Sequence, residues 1–285
     1  MSAKLINGKA MAAEVYEELG KRVSALKAKG IIPRVALVHI GTDEMSTRYI
    51  KLKENAAIRL GMECVSYHLI SDVSQQRVLD LIEKLNADTA VHGIVVQMPL
   101  PEHMNTKTIL DAINPEKDID GLHFCNAGKL LNGAPAIIAC TPRAIMHILD
   151  SIGVDITSKH TVVVGRSVLV GRPIAICLLN RNATVSVCHT KTLNLGEITK
   201  NADILIVAAG CAGLIKADMV KEGAVVIDVG QTNIDGKLYG DVDFDNVSQK
   251  ASYITKVIGG VGPMTVAMLM TNLVDCAENL SKFNR

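Results

Sequence analysis

The sequence predicts an α/β fold in which parallel strands alternate with helices that cover both faces of a sheet. Two observations carry this. Strand-like runs recur at Arg34–Ile40, Glu63–Leu69, Val91–Gln97, Thr161–Val164, Ala183–Val187, Asp203–Ala208, Ala224–Val229 and Tyr253–Val257, and segments of helical period separate several of them. One of these runs, the β-branched Thr161–Val164, passes through Gly165 and Gly171 into a helix-like segment reaching Asn180, as a buried parallel strand does. At 285 residues and 48% hydrophobic, the chain can bury a sizeable core and divide into two domains.

In order, Lys9–Lys29 places Ala13, Tyr16, Leu19, Val23 and Leu26 at helical spacing among charges, so an amphipathic helix is expected. Helices are expected over Ser46–Leu60, Gln75–Leu85 and Thr106–Ile113, between the first three strands and after the third. Residues 114–134, rich in Gly, Asn and Asp, read as one long loop, which is usually functional or a linker. A helix over Thr141–Ile152 leads into Thr161–Val164, and a long final helix, Pro263–Phe283, opens at a glycine-rich loop.

Composition excludes several classes. The formal net charge of +1 gives no field for nucleic acid or acidic membranes. With no Trp, five Tyr and three Phe, the chain is short of groups on which bases stack. Seven scattered cysteines without a Cys-x-x-Cys pair fit reduced thiols. Residues 1–10 lack the apolar core of a signal peptide, and the longest apolar stretch, Ile204–Ile215, is too short to span a bilayer. A soluble, cytoplasmic protein is expected. The eight histidines form no ligand-spaced cluster, so no metal is expected, and neither a Gly-x-Ser-x-Gly elbow nor a P-loop is present.

The turn Gly165-Arg166-Ser167-Val168-Leu169-Val170-Gly171 joins a strand to a helix N-terminus, where free N–H groups and the helix dipole favour an anion. Its spacing is not the common Gly-x-Gly-x-x-Gly. The next strand ends in Cys188-His189-Thr190-Lys191-Thr192, where NAD-preferring folds carry an acid for the ribose hydroxyls. A hydroxyl and a lysine there, with Arg166 in the turn, suit the extra phosphate of NADP. The plainer alternative is an ordinary turn with Arg166 and Lys191 solvated.

Four further groupings could carry chemistry. Ser46, Tyr49 and Lys53 fall at i, i+3 and i+7 on one helix face, where a lysine can exchange protons if its surroundings lower its basicity; a solvated polar face is the alternative. Gln97 ends a buried strand before Pro99 and Pro101, at the edge where open α/β sheets bind ligands, or it caps a turn. In Lys117-Asp118-Ile119-Asp120-Gly121, one carboxylate could receive a cationic or amidine-like ligand edge, or both are turn acids. Gly259-Gly260-Val261-Gly262-Pro263-Met264-Thr265 opens the final helix, either as part of a site or simply as its first turn.

Taken together, these pieces resemble the bifunctional methylenetetrahydrofolate dehydrogenase/cyclohydrolase family over nearly the whole chain. Cys140-Thr141-Pro142, Val164–Pro173 and Cys188-His189-Thr190-x-Thr192 complete the match, in the family's order. The resemblance implies a three-layer α/β catalytic domain at 1–140, which binds folate and is completed by the helix 263–285. It also implies a Rossmann-type NADP-binding domain at 141–262, with the final helix packing back on the first domain. It implies oxidation of methylene-tetrahydrofolate by NADP to a methenyl cation, then hydrolysis to formyl-tetrahydrofolate, and a homodimer.

Family roles carried over make Lys53 the proton-transfer residue, with Gln97 hydrogen-bonding it and Asp120 holding the polar edge of the pterin. Ser46, Tyr49, Pro99, Gly259, Gly260, Pro263 and Thr265 fall to the substrate. Thr141, Gly165, Arg166, Ser167, Gly171, Thr190 and Gln231 fall to the cofactor. The chain departs from the family at Ala144 (commonly Gly), at Lys256 and Ile258 (commonly Pro), at Gln231-Thr232 (commonly Ile-Asn) and at Thr190 (frequently Ser). A short-chain dehydrogenase also combines Ser, Tyr-x-x-x-Lys and a dinucleotide fold, but in the reverse order along the chain. A family member that retains only one of the two activities is the other alternative.

Overall fold

The computed structural model describes residues 2–283. In chain order its elements begin with β1 (Lys4–Ile6), α1 (Gly8–Lys27), β2 (Arg34–Ile40), α2 (Glu44–Arg59), β3 (Glu63–Leu69), α3 (Gln75–Ala87) and β4 (Gly93–Val96). There follow α4 (Thr106–Asp111), α5 (Phe124–Leu131), α6 (Cys140–Ser151), β5 (His160–Val164), α7 (Gly171–Asn180), β6 (Thr184–Cys188) and α8 (Leu195–Thr199). The rest are β7 (Ile204–Val207), β8 (Val225–Asp228), β9 (Thr232–Ile234), β10 (Lys237–Tyr239), α9 (Phe244–Val247), β11 (Tyr253–Thr255) and α10 (Val261–Phe283).

The chain divides into two compact units, Glu14–Cys140 with Val266–Arg285, and Thr141–Thr265 with Met1–Ala13. The first is built on a parallel sheet of order β3-β2-β4. β2 is buried on both faces, which is why it reads as a continuous apolar run. Ala36, Val38 and Ile40 pack with Val78, Ile82 and Leu85 of α3, with Ile94 and Val96 of β4, and with Ile109 of α4. Because β3 and β4 lie on opposite sides of β2, the carboxyl ends of β2 and β4 border a topological switch point, the usual place for a ligand. α2 starts at Asp43, whose carboxylate accepts from the Ser46 N–H at 2.8 Å, so Ser46 is set in the first turn. The C-terminal part of α10 belongs to this unit: Arg22 of α1 donates to Asp275 at 2.6 Å and to Glu278 at 2.8 Å. Positions 284–285 of the expected final helix lie outside the described residues.

Residues 114–134 are not one loop, because α5 occupies Phe124–Leu131. Its Asn126 looked like a loop residue but is buried, donating to Pro115 O at 2.9 Å and to Asp118 Oδ2 at 3.0 Å. His123 Nδ1 accepts the Cys125 N–H as a cap.

The second unit holds a six-stranded sheet, order β1-β11-β8-β7-β5-β6, in which every neighbouring pair is parallel. The expected boundary at residue 140 therefore misplaces the first strand. Lys4–Ile6 hydrogen-bonds alongside Tyr253–Thr255, and that pairing draws the N-terminal residues into this unit. Likewise, residues 263–265 cluster here and not with the rest of the final helix. β9 and β10 form a hairpin through Asp235 and Gly236, both at positive φ, a turn in which Asp-Gly is preferred. β6 and β7 flank β5, so this sheet also has its switch point, at the carboxyl end of β5.

Candidate active site

In the first unit, β4 delivers Gln97 to the sheet edge. The Gln97 N–H donates to Val38 O at 2.8 Å, which continues the ladder one residue beyond the strand. Its side chain is 9% exposed, and its Nε2 donates to Met98 O at 2.7 Å. The other end of the amide, Oε1, is buried with no hydrogen-bond partner among the described residues. Such an acceptor costs free energy unless a ligand or substrate-bound group meets it. Met98 O also accepts from Ser46 Oγ at 3.4 Å, which ties α2 to the strand end, and Pro99 follows through a cis peptide bond, exposed.

Along α2, Ser46 is buried and Tyr49 is 39% exposed. Lys53 stands 3.8 Å from the Asp120 carboxylate, Nζ to Oδ2, with side-chain exposures of 14% and 23%. This is a contact at the outer limit of an ion pair, between groups that are sheltered yet accessible. Such a pair can pass protons and hold a polar ligand edge.

The Lys117–Gly121 motif sorts into two kinds of charge. Lys117 is buried and spends its ammonium on Leu85 O, Asn86 O and Asp88 O at 2.7–3.2 Å, capping the end of α3; burial lowers its pKa. Asp118 is buried too, and burial raises its pKa, against N–H donation from His123 at 2.8 Å and Asn126 at 3.0 Å. Both are structural. Asp120, two residues on, is the carboxylate left facing Lys53. Gly121 has φ +70, and a Cβ there would run into the main chain of Ile138 and Ala139, so the 119–121 segment lies tight against 138–140.

In the second unit, Gly165 follows β5 at φ +126, with its N–H on Cys188 O at 2.8 Å. A Cβ on Gly165 would occupy the place of Ala208 O, and one on Gly171 would meet the carbonyl of Gly165. Both glycines are thus required for the turn to fold this tightly onto the start of α7. Ser167 Oγ accepts from Val170 N at 3.1 Å and Gly171 N at 3.4 Å, which shapes the turn, and Arg166 and Ser167 are exposed on it. Thr190, also exposed, follows the end of β6, beside the turn that Thr192 Oγ1 closes by accepting the His189 N–H. The compressed glycine cradle, the N-terminus of a ten-residue helix and an adjacent arginine together fit a dinucleotide phosphate.

The remaining expected residues of this unit lie around the start of α10. Gly259 is at φ +82 and its carbonyl accepts the Lys9 N–H at 3.1 Å. Gly260 is pressed against Lys256 O. Pro263 stands in the first turn, and Thr265 Oγ1 lies 3.3 Å from Thr141 Oγ1. Gln231 is exposed between β8 and β9, with Nε2 donating to Val257 O at 3.4 Å.

Sequence reasoning missed two buried acids of this unit. Asp228 accepts from the N–H groups of Gly230, Asp241 and Val242 at 2.9–3.1 Å, and Asp241 accepts from Ala209, Gly210 and Cys211 at 2.6–2.9 Å. They fix the loops at the carboxyl ends of β7 and β8. Lone aspartates at strand ends carry no local pattern; the only signal was acids within otherwise apolar strand-end segments. Among the described residues, no group of three or more His, Cys, Asp or Glu is placed to hold a metal, and no helix is long and apolar enough to cross a membrane.

Comparison with known proteins covers both units. Residues 6–120 match the family model "Tetrahydrofolate dehydrogenase/cyclohydrolase, catalytic domain", and residues 139–281 match "Tetrahydrofolate dehydrogenase/cyclohydrolase, NAD(P)-binding domain". The chain is 49% identical to the bifunctional protein FolD of Bacillus pumilus, over 98% of this chain and 99% of that one. Among solved structures, it is similar to the bifunctional FolD methylenetetrahydrofolate dehydrogenase/cyclohydrolase of Campylobacter jejuni. That match has a TM-score of 0.96 and 46% identity and covers 98% of this chain and 99% of the other. It is also similar to the Trypanosoma brucei enzyme of the same name complexed with NADP cofactor and an inhibitor, with a TM-score of 0.94 and 39% identity over 98% of each chain.

Proposed function

Because this chain belongs to the tetrahydrofolate dehydrogenase/cyclohydrolase family, we propose that it catalyses both reactions of its bifunctional relatives. Methylene-tetrahydrofolate is oxidised with NADP to methenyl-tetrahydrofolate, which is hydrolysed to formyl-tetrahydrofolate; both steps are reversible. The observation that carries this reading is the sheltered Lys53–Asp120 pair on the face of α2 that also carries Ser46 and Tyr49.

Asp120 is suited to hold the donor-rich edge of the pterin, since its neighbour Asp118 is already committed to the fold and Asp120 is not. Tyr49, half out of the core, offers a ring for the folate to pack on. In the hydrolytic step, Lys53 relays a proton at Nζ from the attacking water as the water oxygen bonds to the methenyl carbon. That proton passes to the leaving ring nitrogen as the C–N bond opens, and the hydroxyl proton leaves to solvent. On the family resemblance, Gln97, whose Oε1 has no partner among the described residues, is the residue that would hydrogen-bond Lys53 for this transfer. Ser46 and Pro99 hold the strand end on which Gln97 sits.

When bound, NADP supplies the hydride acceptor. Gly165, Ser167 and Gly171 would hold its bridging phosphates, Arg166 and Thr190 its extra phosphate, and Thr141 and Gln231 the remainder. Gly259, Gly260, Pro263 and Thr265 would border the reacting centre. The oxidation itself asks mainly for orientation of the two carbons, which rigid glycine turns provide better than side chains do. On composition and charge we also read the protein as cytoplasmic, without nucleic-acid or membrane partners, and on the family resemblance as a homodimer.

The test is an absorbance assay with methylene-tetrahydrofolate and either NADP or NAD. Methenyl-tetrahydrofolate should appear faster with NADP and then decay by hydrolysis. A short-chain reductase would give no signal. A protein with only one of the activities would either accumulate methenyl-tetrahydrofolate or hydrolyse it only when it is added.

A further inference from the structure

We propose that Asn272, on the buried face of α10, is a positioning residue for the Asp120 carboxylate and through it for folate binding. The proposal rests on the reading of Asp120 given above. Asn272 is 1% exposed in a stretch of α10 that is otherwise largely apolar. Its Nδ2 donates to Ile119 O at 2.7 Å and to Ile138 O at 3.0 Å, and lies 3.6 Å from Cys140 Sγ. A single amide therefore clamps the peptide that immediately precedes Asp120 to the segment that precedes α6.

The rest of the clamp converges on the same peptide. Cys140 Sγ donates to Ile119 O at 3.3 Å and lies 3.7 Å from Asp120 Oδ1, the carboxylate oxygen other than the one that Lys53 approaches. Next along α10, Leu273 packs into the space left by the missing side chain of Gly93, where the Ile119 side chain also lies. The Asp120 main chain is thus fixed by α10, whereas among the described residues its carboxylate meets a thiol at 3.7 Å and a cation at 3.8 Å. A carboxylate so lightly held keeps its direction only if its backbone cannot move. Burying a polar amide in a helix core is costly unless it is hydrogen-bonded, and the Asn272 amide donates to Ile119 O, next to Asp120, and to Ile138 O.

The experiment is a double-mutant cycle with Asn272→Leu and Asp120→Asn, read by KM for methylene-tetrahydrofolate, KM for NADP and kcat of the full-length protein. Asn272→Leu should raise the folate KM about tenfold, with NADP KM within about twofold, and Asn272→Ser, which restores a donor, should recover part of the loss. In the Asp120→Asn background, Asn272→Leu should add less than about twofold, because a positioning residue has nothing left to position. Independent, multiplying effects, or equal rises in both KM values, would overturn the proposal. If Asn272→Leu does not fold, Asn272→Ser carries the same cycle with a smaller expected rise, about threefold. An Asp120→Asn variant with unchanged folate KM overturns the parent reading and the positioning role together. A large Asp120→Asn effect without coupling overturns the positioning role alone.

Discussion

The two units each hold a close pair of charged side chains, and they treat them oppositely. Lys53 and Asp120 are opposite in sign, 3.8 Å apart and partly exposed. Asp228 and Asp241 are alike in sign and almost wholly buried, yet six main-chain N–H donors, three to each, satisfy them. The attractive pair is loosely made and the repulsive pair tightly made. A charge that serves the fold is given partners that cannot leave, whereas a charge that serves a ligand is left with capacity to spare. The contrast predicts that mutating the first pair costs rate with little loss of stability, and mutating the second costs stability first.

The largest effect expected is that of Lys53→Met. Loss of the proton-transfer group should lower methenyl-tetrahydrofolate hydrolysis by about 10²–10⁴-fold, while NADP reduction remains detectable. Because a partly solvated ion pair contributes at most about 1 kcal/mol to folding, the urea midpoint should scarcely move. Hydrolysis that survives, or a variant that unfolds, would break the contrast on this side.

Asp241→Ala tests the other side. It takes the acceptor from the N–H groups of Ala209, Gly210 and Cys211, which lie in an exposed loop, so water offsets part of the loss while the buried aspartate side chain itself is removed. Urea denaturation should show a loss of about 1–3 kcal/mol. A loss under about 1 kcal/mol would mean that water satisfies the loop and that the acid pair is not a brace.

Asp228 sharpens the comparison through pH. Burial pushes its carboxyl up to about 6, against the N–H donors that favour the anion. The ordinary value is 3.8, so the folded unit holds this proton over a range in which the unfolded chain has lost it. The resulting stabilisation is complete below about pH 4 and is lost as pH rises through about 6, a change of roughly 3 kcal/mol. Other acids, Asp203 and Asp243 among them, have lowered pKa values and act in the opposite direction, so the total curve mixes both signs. The measurement is therefore the difference between the wild-type protein and Asp228→Asn, by urea denaturation from pH 4.5 to 7.5. Wild-type stability should fall relative to the variant as pH rises; a flat difference would remove Asp228 from the account.

The alternation of strands and helices was legible because each strand carries its own pattern: β2 and β3 lie over the residues their runs predict. What the sequence hid was long-range. β1 is three residues without a pattern of its own, and only β11, some 250 positions later, makes it a strand. Within Lys117–Gly121, the sequence left open which acid meets a ligand. The choice is made by α5, itself disguised as loop, since Asn126 and His123 engage Asp118 and leave Asp120 to Lys53. The glycine turn was legible as a turn, but the need for Gly165 comes from Ala208, just past the end of the neighbouring strand β7. Local chemistry could be read in advance; the partners that assign it a role could not.

Arg166 represents a third way of keeping a charge, exposed on the glycine turn where water screens it until an anion arrives. Its contribution should accordingly be absent from stability and present in cofactor choice. Arg166→Ala should weaken NADP by about 1–3 kcal/mol, as for a charge-assisted hydrogen bond, and change NAD little. The difference should shrink as salt is raised, because the interaction forms near solvent. Titrations of both cofactors at low and high ionic strength would check this. Equal weakening of NADP and NAD would place Arg166 at the shared phosphates and leave Thr190 and Lys191 as the groups available to read the extra one.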